Sequence, residues 1–391
     1  MMQKLKRNLA VLSAKRALSA PRAHAGFAAG TPEAVFAPTS HGSFGDEALA
    51  LGTGHLLDAL KREWVLVAPG NSSPWHALGV EEIQSTETGL SRGGVIWAPP
   101  AGSRFGGATV IGADSIDFSY GIRNASAKLS ALNVAAASGV PATLFNFSLR
   151  ETLSSEARNL LRRIHPDVKI RSRDPLTQQR ARELFQRDDV SAAPDVGIFL
   201  APRTTDASKK ITEWASTRRV AALTVNNHLG VNFSSQDMLS YFTRLGELLV
   251  EAGFEVMVLA HDVREEQNDP ELARAVASAL SGDTIAATPS DAREAKAMLA
   301  PMSLHLTSRM HAGVASLSQA IPTIGLDYVD KFRGQFSWYG VGDHVVPWNS
   351  HDVVEQVTEM IVRVGQDVDL PEKLRTNTSA WKSDLSVWGL A

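Results

Sequence analysis

The sequence predicts an α/β protein made of two Rossmann-like domains facing each other across a cleft, and three observations predict it. From Glu33 onward, short apolar runs of strand length alternate with helical patterns. A polar stretch at 202–219 interrupts the alternation, and a second series begins after it. The chain has 391 residues, 44% hydrophobic and 21% charged, enough for two cores of ordinary size. The expected division is a basic N-terminal extension at 1–32, a first α/β domain at 33–201, a linker at 202–219, a second α/β domain at 220–370 and a tail at 371–391.

Composition removes several classes of function. A net charge of -3 supplies no general basic surface, so no nucleic-acid partner is expected. The absence of cysteine excludes disulfides, thiolate catalysis and cysteine-ligated metal. The first 32 residues carry Lys4, Lys6, Arg7, Lys15, Arg16 and Arg22 and no acid before Glu33. No apolar run there is long enough for a signal peptide or a membrane span. Leu5, Leu9 and Leu12 share one helical face. The stretch therefore reads either as a solvated extension or as a basic amphipathic helix making peripheral contact with an anionic membrane; an organelle transit peptide has a similar composition. The expected location is cytoplasmic, with that helix as the one route to the inner face of a membrane.

The first series opens with a strand at 34–37 and the turn-rich loop Pro38-Thr39-Ser40-His41-Gly42-Ser43-Phe44-Gly45. A helix begins near Asp46, with Asp46 and Glu47 placed where carboxylates complement the helix dipole. Plain capping accounts for Asp46, whereas His41, in a loop after a strand, marks the loop as a functional candidate. Strands are expected at 65–68, 94–97 and 109–112, the last ending in Ala113-Asp114-Ser115. A helix at 123–138, a strand at 142–147, a helix at 155–164, a strand at 168–171 and a helix at 175–186 complete the half. Arg173, beside Asp174, reads either as one member of a structural pair or as a ligand-binding arginine.

The second series runs from a strand at 220–225, ending in Asn226-Asn227-His228, through a helix at 234–252 opened by Ser234 with Asp237 three residues on. A strand at 255–260 ends in His261-Asp262, and a helix follows from about Pro270. A short strand at 284–286 precedes a helix capped by Asp291, with Glu294 at capping-box spacing. The densest segment comes next: a strand at 302–306, then Thr307-Ser308-Arg309-Met310-His311, a small-residue helix through Ala312, Gly313 and Ala315, and a strand at 322–326 leading to Asp327, Tyr328 and Lys331. Loops after the carboxyl ends of parallel strands share one edge, so Arg309, His311, Tyr328 and Lys331 should face one crevice. Two cations and an imidazole beside a helix N-terminus suit an anion bearing both carboxylate and phosphate. A helix at 352–364 and a tail with Trp381 and Trp388 close the chain.

Phe44-Gly45-Asp46-Glu47-Ala48-Leu49, Gly112-Ala113-Asp114, Arg171-Ser172-Arg173-Asp174, Pro194-Asp195, His261-Asp262 with Asp269 after it, and Ser308-Arg309-Met310-His311-Ala312 with Pro322, Tyr328 and Lys331 follow one another in this order. In this the chain resembles the polysaccharide pyruvyl transferase family over about residues 33–345. The resemblance implies a GT-B-like fold, with 33–201 as the acceptor side and 220–370 as the donor side. It also implies phosphoenolpyruvate as co-substrate with no further cofactor, and a sugar or glycan acceptor, free or lipid-linked, belonging to a cell-surface polysaccharide. His41 and Ser43, and Asn146-Phe147-Ser148 in place of the usual Gly-Gln-Ser and Gly-Pro, depart from the family pattern in the first half.

Making a pyruvate ketal from phosphoenolpyruvate and a sugar diol requires an acid, a base and a clamp for two anionic groups. Arg309 suits the carboxylate and Lys331 the phosphate, with Tyr328 and Arg173 as further donor-binding candidates. His311 is the expected general acid or base, against the plainer reading of a helix-start histidine bonded to a carbonyl. Asp46 and His261 complete the catalytic candidates, although His261-Asp262 reads equally as capping. His41, Glu47 and Asp114 are the acceptor-binding candidates. No metal is expected, because none of the spacings is a tight i, i+4 ligand pair. A glycosyltransferase of the same fold, holding a nucleotide sugar's diphosphate on the same cations, is the alternative, and a non-catalytic glycan-binding protein is a third reading.

Overall fold

The computed structural model describes residues 2–19, 21–39, 41–90, 96–227, 229, 234–328 and 331–390, with side chains in the first helix from Lys6. Alternating strands and helices wind into two compact units. One comprises Met1–Ser40, Leu49–Val196 and Leu385–Ala391, and the other His41–Ala48 and Gly197–Asp384.

The first unit is built on a sheet of order β3-β2-β1-β4-β5-β6-β7. Its strands are β1 (Glu33–Phe36), β2 (Trp64–Ala68), β3 (Ile83–Ser85), β4 (Gly107–Ala113), β5 (Ala142–Phe147), β6 (Lys169–Ser172) and β7 (Ser191–Ala192). Neighbouring strands pair in parallel throughout. β1, β4 and β5 are buried along their whole length, as a parallel sheet covered on both faces requires. Phe36, Val67, Val110, Leu144 and Ile170 belong to one core.

The second unit repeats the plan with six strands in the order β10-β9-β8-β11-β12-β13. These are β8 (Val220–Thr224), β9 (Glu255–Leu259), β10 (Ile285–Ala287), β11 (Leu304–Thr307), β12 (Thr323–Asp327) and β13 (Val345–Pro347), again all parallel. The strand order reverses direction between β8 and β11, the point at which open α/β sheets bind ligands beyond their carboxyl ends. The helix Met310–Leu317 lies close to its surroundings because it is made of small residues. A Cβ added at Gly313 would stand 3.0 Å from the Phe336 ring and 3.3 Å from the Thr307 methyl.

The structure alters several expectations. The N-terminal stretch is a helix, Met2–Ser19, packed through Val11, Ala14 and Leu18 on the helices Ile122–Ala137 and Ser155–Leu161, so it is no frayed extension. Those three residues recur at helical spacing on one side, which the reading centred on Leu5, Leu9 and Leu12 overlooked. The stretch expected as a linker contains the helix Asp206–Ala215, closed by a capping box of Thr205 and Ser208, and the units divide after Val196. The tail also divides: Leu370–Ser383 is a helix of the second unit, while Leu385–Ala391 belongs to the first. There Trp388 is fully buried and Arg62 donates to the Leu390 carbonyl. The strand expected at 94–97 lies partly outside the described residues, and Trp97 forms only an isolated bridge with Leu90. His228 also lies outside them. Asp291 caps its helix by accepting from Arg293 N–H and Glu294 N–H, but Glu294 reaches back to Ser290 N–H at 2.6 Å, one residue short of a closed box.

Candidate functional site

At the carboxyl edge of the second sheet, the loops after β8, β9, β11 and β12 supply an interlocked group of charged residues. Arg309 leaves β11 and enters the helix Met310–Leu317 as its N-terminal residue. Its Nε donates to Asp269 Oδ2 at 3.0 Å, and one terminal nitrogen donates to the two Asp269 oxygens at 2.8 and 2.7 Å. Asp269, wholly buried, also accepts Asn227 N–H at 3.0 Å. Only one edge of the guanidinium fork is used in this way. The other terminal nitrogen lies 3.8 Å from Asp262, and a guanidinium offers two such edges. Burial alone would weaken the hold of Arg309 on its proton, but Asp269, Tyr328 and Asp262 outweigh it and fix the group as a cation. Asp262 is itself held by Arg264, at 2.9 and 2.6 Å.

His261 lies in the same layer, 5% exposed. Burial, with the neighbouring Arg309, His311 and His305, holds it far below the ordinary imidazole range, so it is neutral. Its ring meets Phe44 edge-on, with centroids 5.6 Å apart.

The loop 41–47 belongs to this unit, although sequence reading assigned it to the first half. Ser43 bridges to Asp262 in antiparallel fashion, and Val263 N–H donates to the Gly42 carbonyl at 2.9 Å. Gly45 lies against His311: a Cβ there would fall 2.2 Å from the imidazole Nδ1, so the residue must be glycine for the ring to stay where it is. Glu47 is fully buried and does not face solvent as an acceptor-binding group would. Its carboxylate accepts Gly42 N–H at 2.8 Å and Ala292 N–H at 3.0 Å, and lies 3.2 Å from His41 Nε2. Burial pushes it up to about 7, against the pull of those two N–H donors. His41, half-buried, is lowered by burial although Asp291 opposes the shift. Asp46, nearly buried in the first turn of the helix Phe44–Ala59, lies close enough to Arg264 to strengthen that residue's charge. His41, Asp46, Glu47, His261, Arg309 and His311 are therefore gathered on one sheet edge within one unit.

Tyr328 and Lys331 follow β12 on the same edge. Lys331 Nζ stands 5.2 Å from the centre of the Tyr328 ring, and Tyr328 adds to the charge field around Arg309. The other two candidates lie in the first unit. Asp114 follows β4, where Ala113 turns the chain with a φ of 47°. Arg173 is fully buried, 3.5 Å from Asp195 and bonded through Nε to Ser148 Oγ at 2.8 Å, so it has no surface on which to receive a donor. The residues that sequence reading left without a role are Asp269 and Arg264, which orient Arg309 and Asp262. Asp269 was visible as the acid in front of Pro270 at a helix start and in the motif order after His261-Asp262, but neither sign gave it a role. Among the described residues, no three His, Asp or Glu side chains converge as a metal-binding set.

Comparison with known proteins bears on the fold and the family. The UDP complex of Staphylococcus aureus MnaA is 12% identical, covers 88% of this chain and 90% of its own, and has a TM-score of 0.57. A UGT transferase from Siraitia grosvenorii in complex with UDP is 11% identical with coverages of 90% and 95% and a TM-score of 0.54. The UDP-GlcNAc 2-epimerase of Neisseria meningitidis, bound to UDP-GlcNAc, is 11% identical with coverages of 90% and 98% and a TM-score of 0.52. At such identities the likeness establishes the fold, two Rossmann-like units of the GT-B type. No curated protein matches the chain in sequence. The family model of polysaccharide pyruvyl transferase matches residues 101–330, more than half of the chain and the whole run from β4 to the loop after β12. The protein is thus a transferase and belongs to the polysaccharide pyruvyl transferase family.

Proposed function

We propose that the protein transfers the enolpyruvyl group of phosphoenolpyruvate to two hydroxyls of a sugar in a cell-surface polysaccharide or its precursor, forming a ketal and releasing phosphate. The observation that carries this reading is the half-used fork of Arg309. Asp269 fixes one edge, and the other edge, whose terminal nitrogen lies 3.8 Å from Asp262, offers the planar donor pair that a carboxylate takes. Lys331 serves as the phosphate's point charge, with Tyr328 beside it.

The chemistry balances without a further cofactor. His311 as the protonated acid gives a proton to the methylene carbon, which becomes the methyl group, and C2 becomes an electrophile next to the clamped carboxylate. One sugar oxygen attacks C2 and loses its proton to a base, for which Asp46 is the candidate. The C2–O bond to phosphate then breaks, the electron pair leaves with the phosphate, and the second sugar oxygen closes the ring as its proton departs. His261, neutral in its buried position and within the electrostatic reach of His311 and Arg309, is the further catalytic candidate. Glu47 holds His41 and the loop around it, and Asp114 is the acceptor-binding candidate of the first unit.

The test is phosphate release from phosphoenolpyruvate with a panel of galactosides, glucosides and N-acetylmannosamine-containing precursors, in wild type, Arg309→Ala and His311→Ala. Acceptor-dependent release abolished by both substitutions is expected. If no acceptor gives release while a nucleotide sugar is consumed, the ketal-forming reading is replaced by glycosyl transfer.

A further inference from the structure

Asp262 stands between two arginines, and one of its oxygens faces both. Oδ2 accepts from a terminal nitrogen of Arg264 at 2.6 Å and lies 3.8 Å from the terminal nitrogen of Arg309 on the edge that Asp269 leaves open. Oδ1 accepts from Arg264 Nε at 2.9 Å and from the Arg264 N–H at 3.2 Å, so a residue two positions on closes the carboxylate into a local turn. The stem of Arg264 passes against Gly42, where a Cβ would stand 2.9 Å from its Cγ, and Ser43 of the same loop bridges to Asp262. The Asp262 side chain is buried, and a buried carboxylate is stable only beside a cation. An approach of about 1 Å would turn its 3.8 Å separation from Arg309 into a charge-assisted hydrogen bond. The three bonds from Arg264 hold it short of that approach.

We propose that Arg264 is a positioning residue that keeps the second edge of Arg309 open to an anionic substrate by holding Asp262 away from it. The inference rests on the function proposed above in so far as that edge receives the donor's carboxylate. Two carboxylates cannot both take one edge of a guanidinium as a bidentate pair. With Arg264 in place, Asp262 is neutralised and turned aside, and an arriving anion meets Arg309 alone. Without Arg264, Asp262 is a buried anion left beside Arg309, and it closes on the open edge as an internal competitor. A self-closed form holding about nine molecules in ten lowers the apparent affinity about tenfold.

Calorimetric titration of the full chain with phosphoenolpyruvate tests this in wild type, Arg264→Ala, the double variant Arg264→Ala/Asp262→Asn, and Arg309→Ala. Binding about tenfold weaker in Arg264→Ala and restored to within about threefold of wild type in the double variant supports the inference, because an amide does not compete for the cation as a carboxylate does. If Arg264 only held the fold together, the second substitution would add to the damage and the order would reverse. Unchanged binding in Arg264→Ala, or a double variant as weak as the single one, overturns the inference. Circular dichroism identifies a variant that does not fold; Arg264→Gln, which keeps the stem against Gly42, then replaces the alanine in both proteins and is judged by the same order. Uridine diphosphate as a second titrant separates the inference from the reaction. Weakening and restoration seen with uridine diphosphate and not with phosphoenolpyruvate support the inference and remove the ketal-forming reading. Phosphoenolpyruvate binding without restoration removes the inference alone. Binding of neither anion by wild type, or binding that Arg309→Ala leaves unchanged, removes the clamp on which both rest.

Discussion

Arg309 spends one edge of its guanidinium on a buried aspartate, and this division of labour makes its chemistry testable one residue at a time. Removing the negative partner leaves a buried cation uncompensated, so Asp269→Asn should destabilise the protein by about 3 kcal/mol in urea unfolding. Arg309→Lys keeps the charge and loses the fork. It should raise the KM for phosphoenolpyruvate by about tenfold, or ~1.4 kcal/mol, with a smaller effect on stability. An unchanged KM in that variant would mean that the free edge does not touch the donor. At the same scale, the 2.2 Å approach that a Cβ at Gly45 would make to the imidazole ties one glycine to the seat of His311.

The loop 41–47 is the element whose behaviour differs most from a simple strand-to-helix connection, because a carboxylate clamps it to the start of the helix Ala292–Leu299. The folded protein keeps a proton on Glu47 up to about pH 7, while the unfolded chain releases it near 4.5. Between those values the folded state binds more protons, so stability falls as pH rises through the window and stays lower above it. The loss attributable to this group is about 3 kcal/mol. Glu47→Gln should remove it, which a comparison of unfolding free energies for the two proteins from pH 4.5 to 7.5 would show. The element pattern itself was largely legible. Runs such as Ala142–Phe147 and Val220–Thr224 are short, mostly apolar segments of strand length set between helical patterns, as buried parallel strands are. β3, β7 and β13 escaped because they are two- or three-residue strands at sheet edges, too short to carry a period. Arg309, His311 and Lys331 could be placed on one edge from the order of strands and helices. The home of His41, Asp46 and Glu47 could not, since it is decided by tertiary bonds from Glu47 to residues 245 positions away.

For the molecule as a whole, acid is the condition to which the second unit is most exposed. His305 is enclosed between Thr224 Oγ1 and Ser316 Oγ, each 2.7 Å from a ring nitrogen, and burial lowers it to about 3. The unfolded chain takes up a proton below about 6.5 that the folded state refuses. The stability linked to this residue is therefore complete above that value and is lost as pH falls toward 3, by up to about 5 kcal/mol. His305→Gln should cost about 1–2 kcal/mol at neutral pH and flatten the acid limb of a stability profile followed by fluorescence. The path of the chain has a consequence of its own. It leaves the first unit after Ser40, returns at Leu49, leaves again after Val196 and comes back only with Leu385–Ala391. At synthesis rates of about 5–20 residues per second, the segment that completes the first unit emerges roughly 10–40 s after the rest of that unit. Nascent chains must keep an unfinished first half soluble during that wait, and a gene cut at the 196/197 boundary yields two fragments that each lack a piece held by the other.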